Sequence, residues 1–544
     1  MNMRKRYSLI NAFLLVMFGI VIGIGINKLI SADSIYEQIQ KFGDVLSAIQ
    51  KAYIEETDTG KLTESAIVGM LNNLDPHSMY IPARQFERVM EEFKGKFEGI
   101  GISFRIINDT ITVIDPIPGG PSARLGILSN DRIIKINDSS AIKWTDERVM
   151  KTLRGPKGTK VKVSILRPGV SEILDFIIVR DEISITSIDA AFMISKDVGY
   201  ISLNQFKETT AEELEKALRK LLSSGMKRLI LDLRGNGGGY LEQAVRVVDM
   251  FLDGGTKDDP HIIVYTKGRK AEFEESYSAT TGDPYEKIPL IILVNNASAS
   301  ASEIVAGAIQ DWDRGLIVGE TTFGKGLVQR QWPLRDGSAI RLTVAKYYTP
   351  CGRLIQRPYE GKTKEEYQFE AFERQEEEGE NVEHAKEVKP DTALPVFKTK
   401  AGRKVLGGGG ITPDYIVKSE KLTGFVQNIW RRNLFYDFSK NYLEGKGLFL
   451  RKKYGNDYGS FKSKYEITAD VINDFKTFVQ SKEIKVEDDE YQKAIPFIKN
   501  HLKAQIARMI FGLEASIDIM IEIDRQVQKA LTLFPEAEKI AKLH

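Results

Sequence analysis

The 544-residue chain has one cysteine, Cys351, and five histidines, at positions 77, 261, 384, 501 and 544. A single thiol excludes an intramolecular disulfide framework and any multi-cysteine metal site. Five scattered imidazoles argue against a histidine-built metal centre. Net charge is scarce too: 77 Lys+Arg stand against 75 Asp+Glu, leaving +2. Without a basic field nothing holds a phosphate backbone, so nucleic acid is not expected as a partner. Neither a metal nor an organic cofactor is expected, and a hydrolase on this sequence must draw on other side chains. What is present fits a folded globular protein: 42% apolar residues, with 45 Gly and 18 Pro. At roughly 150 residues per domain, the length calls for three or four units.

Arg4, Lys5 and Arg6 precede an apolar run, and the 22 residues from Leu9 to Ile30 include only Asn11, Asn27 and Lys28 as polar ones. About 20 such residues suffice to cross a bilayer. Ile30-Ser31-Ala32 is a mediocre cleavage site, which favours an uncleaved signal anchor over residues 1–32. Positive charge on its N-terminal side keeps that end cytoplasmic and sends the remainder across. The expected location is the cell envelope, anchored in the inner membrane with the rest on the periplasmic side. Gly19 and Gly23 have the spacing of a helix-pairing motif.

Residues 33–94 read as helical, with Phe42, Val45, Leu46, Ile49 and Tyr53 and then Phe86, Val89, Met90 and Phe93 at helical spacing. The turn Leu74-Asp75-Pro76-His77-Ser78 divides them, and His77 reads as structural. From Gly95 the pattern changes to short strands, around Ile102–Phe104, Ile111–Ile114, Asp131–Asn137 and Lys160–Leu166. The loop Gly99-Ile100-Gly101-Ile102, the turn Gly120–Ile127 and the Asp131–Asn137 segment together resemble a PDZ domain, over residues 95–182. A glycine-rich loop leaves backbone N–H groups free for a terminal carboxylate, and a strand edge pairs with an extended peptide.

Residues 183–417 read as α/β. Strands at Leu229–Leu233, Ile288–Val294 and Leu316–Val318 each run into a turn, and helices follow the first two. The stretch 360–389 carries 11 Glu against 5 Lys+Arg, a solvated surface excursion. Residues 418–544 look helical, with an apolar stripe of Leu502, Ile506, Met509, Leu513, Ile517 and Met520. The stripe either packs within its own domain or forms a homo-oligomer interface.

Three strand-end loops compete for the chemistry. Gly319–Gly326 follows the phosphate-loop pattern until its last position, where the magnesium-holding hydroxyl is replaced by Gly326 and a strand, not a helix, is expected to follow. The run Gly235–Gly239 lacks dinucleotide spacing but offers backbone N–H groups to an oxyanion. The serines at 298, 300 and 302 sit at a strand-to-helix turn, and Lys325 lies on a glycine-flanked loop. Serine needs a base, and a neutral lysine can serve. Lysine ordinarily titrates near 10.4, so a base working near pH 7 to 8 costs about 4 kcal/mol, which burial among apolar neighbours supplies.

The segments Asp232–Gly239, Ser298–Glu303, Thr322–Gln329, Tyr347–Pro350 and Gly410–Asp414, in this order, closely resemble the carboxyl-terminal processing peptidases, or tail-specific proteases. The resemblance covers about residues 35–417. It implies a multidomain α+β protein: anchor and helices, PDZ-like β-domain, a crotonase/ClpP-like α/β peptidase core and a helical C-terminal domain. It further implies Ser300 as nucleophile, Lys325 as general base and Gln329 as the residue that orients the lysine. Oxyanion donors would be the N–H of Ala301 and one from Gly237 or Gly238. Gly99, Ile100, Gly101 and Ile102 would hold the substrate tail. The implied partners are exported proteins with apolar C-termini. A non-catalytic PDZ scaffold or envelope chaperone is the alternative, and a crotonase-type enzyme shares the core architecture. Loss of Ser300, Lys325 or Gln329 would mark the scaffold, and all three are present.

Overall fold

The apolar runs around Leu231, Ile292 and Ile317 are the middle strands of a six-stranded sheet in the computed structural model, which describes residues 17, 35–377, 379 and 394–543. Its spatial order is Ile188–Met193, Val198–Leu203, Arg228–Asp232, Leu290–Val294, Leu316–Gly319 and Tyr415–Ile416. The first pair is antiparallel and all later pairs are parallel. Successive strand side chains point to opposite faces, so burial on both faces demands unbroken hydrophobicity. Leu290–Val294 meets that demand at every residue.

The two faces have different covers. Leu229, Leu231, Leu290, Ile292, Val294 and Ile317 pack beneath the helices Thr210–Ser223, Leu241–Asp249 and Ala301–Asp311. Ile230, Ile291, Leu293, Leu316 and Val318 point the other way, onto Ile521, Val527, Ala530, Phe534 and Ala537 of the last helices. Residues 521–537 therefore close one face of this sheet, although they fall inside the stretch 418–544 expected as a separate helical domain. A second, antiparallel sheet joins Met79–Ile81, Ala339–Tyr348, Ile262–Gly268 and Ser276–Ser278, with Leu327–Pro333 also on Ala339–Tyr348. Thus Met79–Ile81, inside the segment expected to be helical, is a strand of the core: its backbone pairs with Ala339–Arg341.

Residues 102–179 build a five-stranded antiparallel sheet, with Ser139–Ser140 appended, around Ile111, Val113, Ile133, Val163 and Ile178. Ile102–Ile107 pairs only with Thr110–Pro116, so it is an edge strand. Helix Asp146–Leu153 is capped by Thr145, whose hydroxyl accepts the Arg148 N–H at 3.3 Å.

The stretch 424–520 forms a helical core around Phe461, Phe475, Ile498, Leu502 and Ile506. Gly512, at φ +97°, ends helix Asp488–Phe511 and starts Leu513–Met520, so the apolar stripe belongs to two helices. Leu502, Ile506 and Met509 are buried inside this core rather than offered to a second subunit. The core also touches the PDZ-like sheet, through Ile107 and Ile114 and through Arg508–Asp115 (3.0 Å) and Arg132–Glu444 (3.1 Å).

The acidic stretch is partly ordered by packing. Lys364–Glu377 is a helix whose Tyr367 and Ala371, four residues apart, are buried, and only the later part lies outside the described residues. Residues 35–74 form a separate unit of two helices, Ile35–Ala52 and Thr59–Asn72. The expected membrane run 9–30 lies outside the described residues except for Met17, and among the described residues no helix is long and apolar enough to cross a membrane.

Candidate active site

Strand Leu290–Val294 delivers its chain to a turn in which Ser298 Oγ donates to the Leu233 carbonyl (2.8 Å) and Ser302 Oγ donates to the Asn236 carbonyl (2.8 Å). These two hydroxyls stitch the serine turn to the neighbouring glycine loop. Between them Ser300 takes φ +55°, ψ −110°, a backbone that costs an L-residue roughly 1–3 kcal/mol and is held by the surrounding bonds. It stands immediately before helix Ala301–Asp311. The Ala301 N–H is the first of that helix and has no carbonyl one turn back to receive it.

The glycine loop is built to approach Ser300. A Cβ on Gly238 would lie 2.8 Å from the Ala299 carbonyl oxygen and 2.9 Å from Ser300 Cβ, and φ there is +102°. Only glycine fits. The Gly238 N–H is already donated to Asn236 Oδ1 (2.9 Å), whereas Gly237 is exposed to the cavity that Ser300 lines. Asn236 is fixed in turn by its amide on the Leu203 carbonyl (2.9 Å).

Lys325 enters the same cavity from the loop between Gly319 and the strand Leu327–Pro333. A strand follows this loop, not the helix a phosphate loop needs, which removes that reading. Lys325 Nζ donates to Gln329 Oε1 at 2.9 Å, and Gln329 Nε2 donates to the His77 carbonyl at 2.7 Å. Burial lowers the lysine to about 8, with the Arg341 cation adding to the effect and Glu303 and Asp75 opposing it. Among the described residues no hydrogen bond joins Lys325 to Ser300; the ammonium faces Gln329 instead.

What joins the serine and lysine loops is a carboxylate. Glu303 is fully buried and accepts the Ser300 N–H (2.8 Å), the Gly324 N–H (2.7 Å), the Lys325 N–H (2.9 Å) and the Thr322 hydroxyl (2.6 Å). Desolvation pushes its pKa up, and those four donors oppose the rise. Tyr347 adds a second tie: its hydroxyl lies 2.6 Å from the Lys325 carbonyl and 3.1 Å from the Ser300 carbonyl. Sequence reading quoted both residues within motifs but gave neither a role. The serine three positions before Glu303 is the signal that could have exposed the first, since Ser-x-x-Glu is a capping pattern. No local pattern marks Tyr347, because its partners lie 22 and 47 positions away.

His77 is structural in the sense expected. Its ring packs edge-on to Tyr367 (5.3 Å) and Phe323 (6.3 Å), and burial, with the nearby Lys325 charge, lowers it to about 3. Its backbone, not its ring, reaches the site. Arg341 also lines the cavity, which measures about 800 Å³ and runs from Phe93 and Tyr240 to Glu275 and Tyr277. Gly99, Ile100, Gly101 and Ile102 lie elsewhere, at the head of the PDZ-like sheet. There Gly101 takes φ +73° and the Ile100 carbonyl accepts the Ser122 hydroxyl (2.6 Å).

Residues 197–365 match the model of peptidase family S41 and residues 89–166 match the PDZ domain. Residues 26–84 match the activating protease CtpB N-terminal domain, and 425–512 match a family of unknown function, DUF8443. A carboxy-terminal-processing protease of Bartonella bacilliformis is 41% identical over 325 residues, 59% of this chain and 73% of the relative. Carboxy-terminal processing protease CtpA of Bacillus subtilis is 37% identical over 328 residues, 60% of this chain and 68% of the relative. Among solved structures, the photosystem II D1 C-terminal processing protease is 28% identical, covering 58% of this chain and 89% of its own, with a TM-score of 0.32. With its PDZ module, S41 core and relatives matched over most of their length, the chain belongs to the carboxy-terminal processing protease family and is a serine endopeptidase.

Proposed function

We propose that the chain cleaves exported proteins near their C-termini by a Ser300–Lys325 dyad. The observation that carries this reading is the convergence of Ser300, the Gly237–Gly239 loop and a lysine lowered to about 8 on one cavity. Neutral Lys325 takes the Ser300 hydroxyl proton as Oγ bonds to the scissile carbonyl carbon. The developing oxyanion is received by the N–H groups of Ala301 and Gly237, since Gly238 N–H is engaged by Asn236. Lys325 then returns the proton to the departing amine, leaving an acyl-enzyme. Water attacks that ester and gives its proton to Lys325, which passes it to Ser300 Oγ as the acyl C–O bond breaks and the new C-terminal acid leaves. Gln329 orients the lysine and is itself held by His77. Substrate closes the gap between Lys325 and Ser300, since catalytic hydrogen bonds commonly tighten only in the complex.

The PDZ-like domain, taken as 95–182, selects apolar tails: the carboxylate at the Gly99–Ile102 loop and the tail along the edge strand Ile102–Ile107. The peptidase core is taken as 183–417, and residues 1–32 as an anchor that puts both in the envelope. Ser300→Ala or Lys325→Ala in the purified full chain is expected to abolish cleavage of a tailed protein while circular dichroism and melting stay unchanged. Cleavage by either variant would overturn the dyad.

A further inference from the structure

The glycine loop has a support that comes from the far end of the chain. Leu233 and Arg234 carry the strand Arg228–Asp232 into Gly235, and the three backbone N–H groups there are held, that of Leu233 by the Leu293 carbonyl (2.9 Å). The Arg234 N–H donates to Asp232 Oδ1 (2.9 Å), and the Gly235 N–H donates to Asn295 Oδ1 (2.9 Å). The Arg234 side chain is mostly buried, and its Nε and one terminal nitrogen embrace Asp232 at 2.6–3.0 Å. Its other terminal nitrogen donates to Asp524 Oδ2 (2.7 Å) and Gln526 Oε1 (2.8 Å), some 290 residues later.

Both of these acceptors are themselves locked. Asp524 Oδ1 caps helix Arg525–Thr532, accepting the N–H groups of Gln526 (2.9 Å) and Val527 (3.1 Å). Gln526 Nε2 donates to the Val417 carbonyl (2.7 Å), and the residue is 1% exposed. A buried, bidentate guanidinium with all its partners fixed holds its own backbone rigidly. The backbone it holds is one residue from the loop that lies against Ser300. None of the four matched family regions extends past residue 512, so Asp524 and Gln526 lie outside every matched family region.

We propose that Asp524 and Gln526 are positioning residues of the active site, which act through Arg234 to set the angle at which the glycine loop offers its N–H to the oxyanion. This rests on the oxyanion reading given above. A group held about 1 Å out of place can cost as much as 100-fold in rate, and an oxyanion donor acts on the transition state rather than on bound substrate. Loss of the support should therefore lower kcat and leave KM alone.

The test uses the full chain with Asp524→Asn, which keeps a capping side chain but removes the charge, and Gln526→Leu as an independent second variant. Three quantities are read: kcat and KM on a tailed protein, affinity for a peptide aldehyde, and the pH profile. The aldehyde bonds reversibly to Ser300 Oγ and presents a tetrahedral oxygen. Expected for both variants are a kcat lower by about 10- to 100-fold, KM within twofold, aldehyde affinity lowered in parallel, and the limb near pH 8 unmoved. Should Asp524→Asn fail to fold, Gln526→Leu alone decides. Wild-type kcat, or a fall carried by KM, would overturn the proposal. So would a displaced pH limb, since disturbance would then have reached Lys325. Ser300→Ala is run alongside. If it still cleaves, the active-site reading itself is wrong; if it is dead while Asp524→Asn is fully active, only the positioning role is wrong.

Discussion

Burial and the Arg341 guanidinium both disfavour the charged form of Lys325, and together they bring it to about 8 against the opposing pull of Glu303 and Asp75. In the proposed dyad the base is the neutral amine, so kcat/KM should rise with pH through an acid limb near 8 and level off above it. Arg341→Gln removes one of the two causes, so the lysine titrates higher and the limb moves to higher pH. A profile from pH 6 to 10 measures this, and an unmoved limb would show that Arg341 does not act on the lysine. His77 stays neutral across this range because burial holds it near 3. No separate limb between pH 5 and 7 is therefore expected. On the proposed dyad, the environment of one lysine does the work an imidazole does elsewhere.

Edges and turns decide what the elements do. Ile102–Ile107 has one paired side and one open side, and the loop before it contains Gly101 at φ +73°. A Cβ there would meet Ile183 Cδ1 at 3.0 Å in a conformation that costs an L-residue about 1–2 kcal/mol. Gly101→Ala should therefore weaken binding of an apolar C-terminal peptide by about tenfold. Fluorescence polarisation on a Ser300→Ala background measures this without cleavage. An amidated peptide should bind more weakly still, for want of its carboxylate. Equal binding by Gly101→Ala would place the tail elsewhere. The strand Leu327–Pro333 shows the same principle at the active site: Lys325 sits just before it and Gln329 within it, on a strand pinned to Ala339–Tyr348.

For the molecule as a whole, the C-terminal helices are a structural requirement. Ile230, Ile291, Leu293, Leu316 and Val318 are covered on one sheet face by residues 521–537. Five such side chains, at about 2 kcal/mol each, amount to about 10 kcal/mol, comparable with the entire net stability of a typical domain. A chain ending at residue 417 should therefore aggregate or fail to melt cooperatively, although every catalytic motif is retained. Soluble yield and calorimetry test this, and a cooperative transition in the shortened chain would refute it. The helical core 424–520 reaches the PDZ-like sheet through Arg508–Asp115 and Arg132–Glu444. Both pairs are partly exposed and contribute on the order of 1 kcal/mol or less, so they orient the sheet rather than stabilise it.

Much of this architecture was legible in one dimension because its signals are local. The fully apolar Leu290–Val294 announces a strand buried on both faces, and the glycines at 99 and 101 announce a loop with free backbone N–H groups. The lysine between two glycines and the serines after a strand announce a loop pair with chemistry. Near-neutral charge, few histidines and one cysteine had already narrowed that chemistry to side chains of this kind. What the order of residues could not convey is which distant groups meet. Glu303 beside Ser300, Gly324 and Lys325, Tyr347 between two carbonyls, the His77 carbonyl on Gln329 and Asp524 on Arg234 are pairings made only by closure of the chain. Helical periodicity likewise marked residues 502–520 as amphipathic without saying what they cover, and it gave no hint that Ile521–Ala537 would close the peptidase sheet. Hydrophobic period and turn chemistry act within a few residues and so survive in the sequence. Hydrogen bonds between elements depend on where the sheet brings strand ends together, and that is set only when both of its faces are buried.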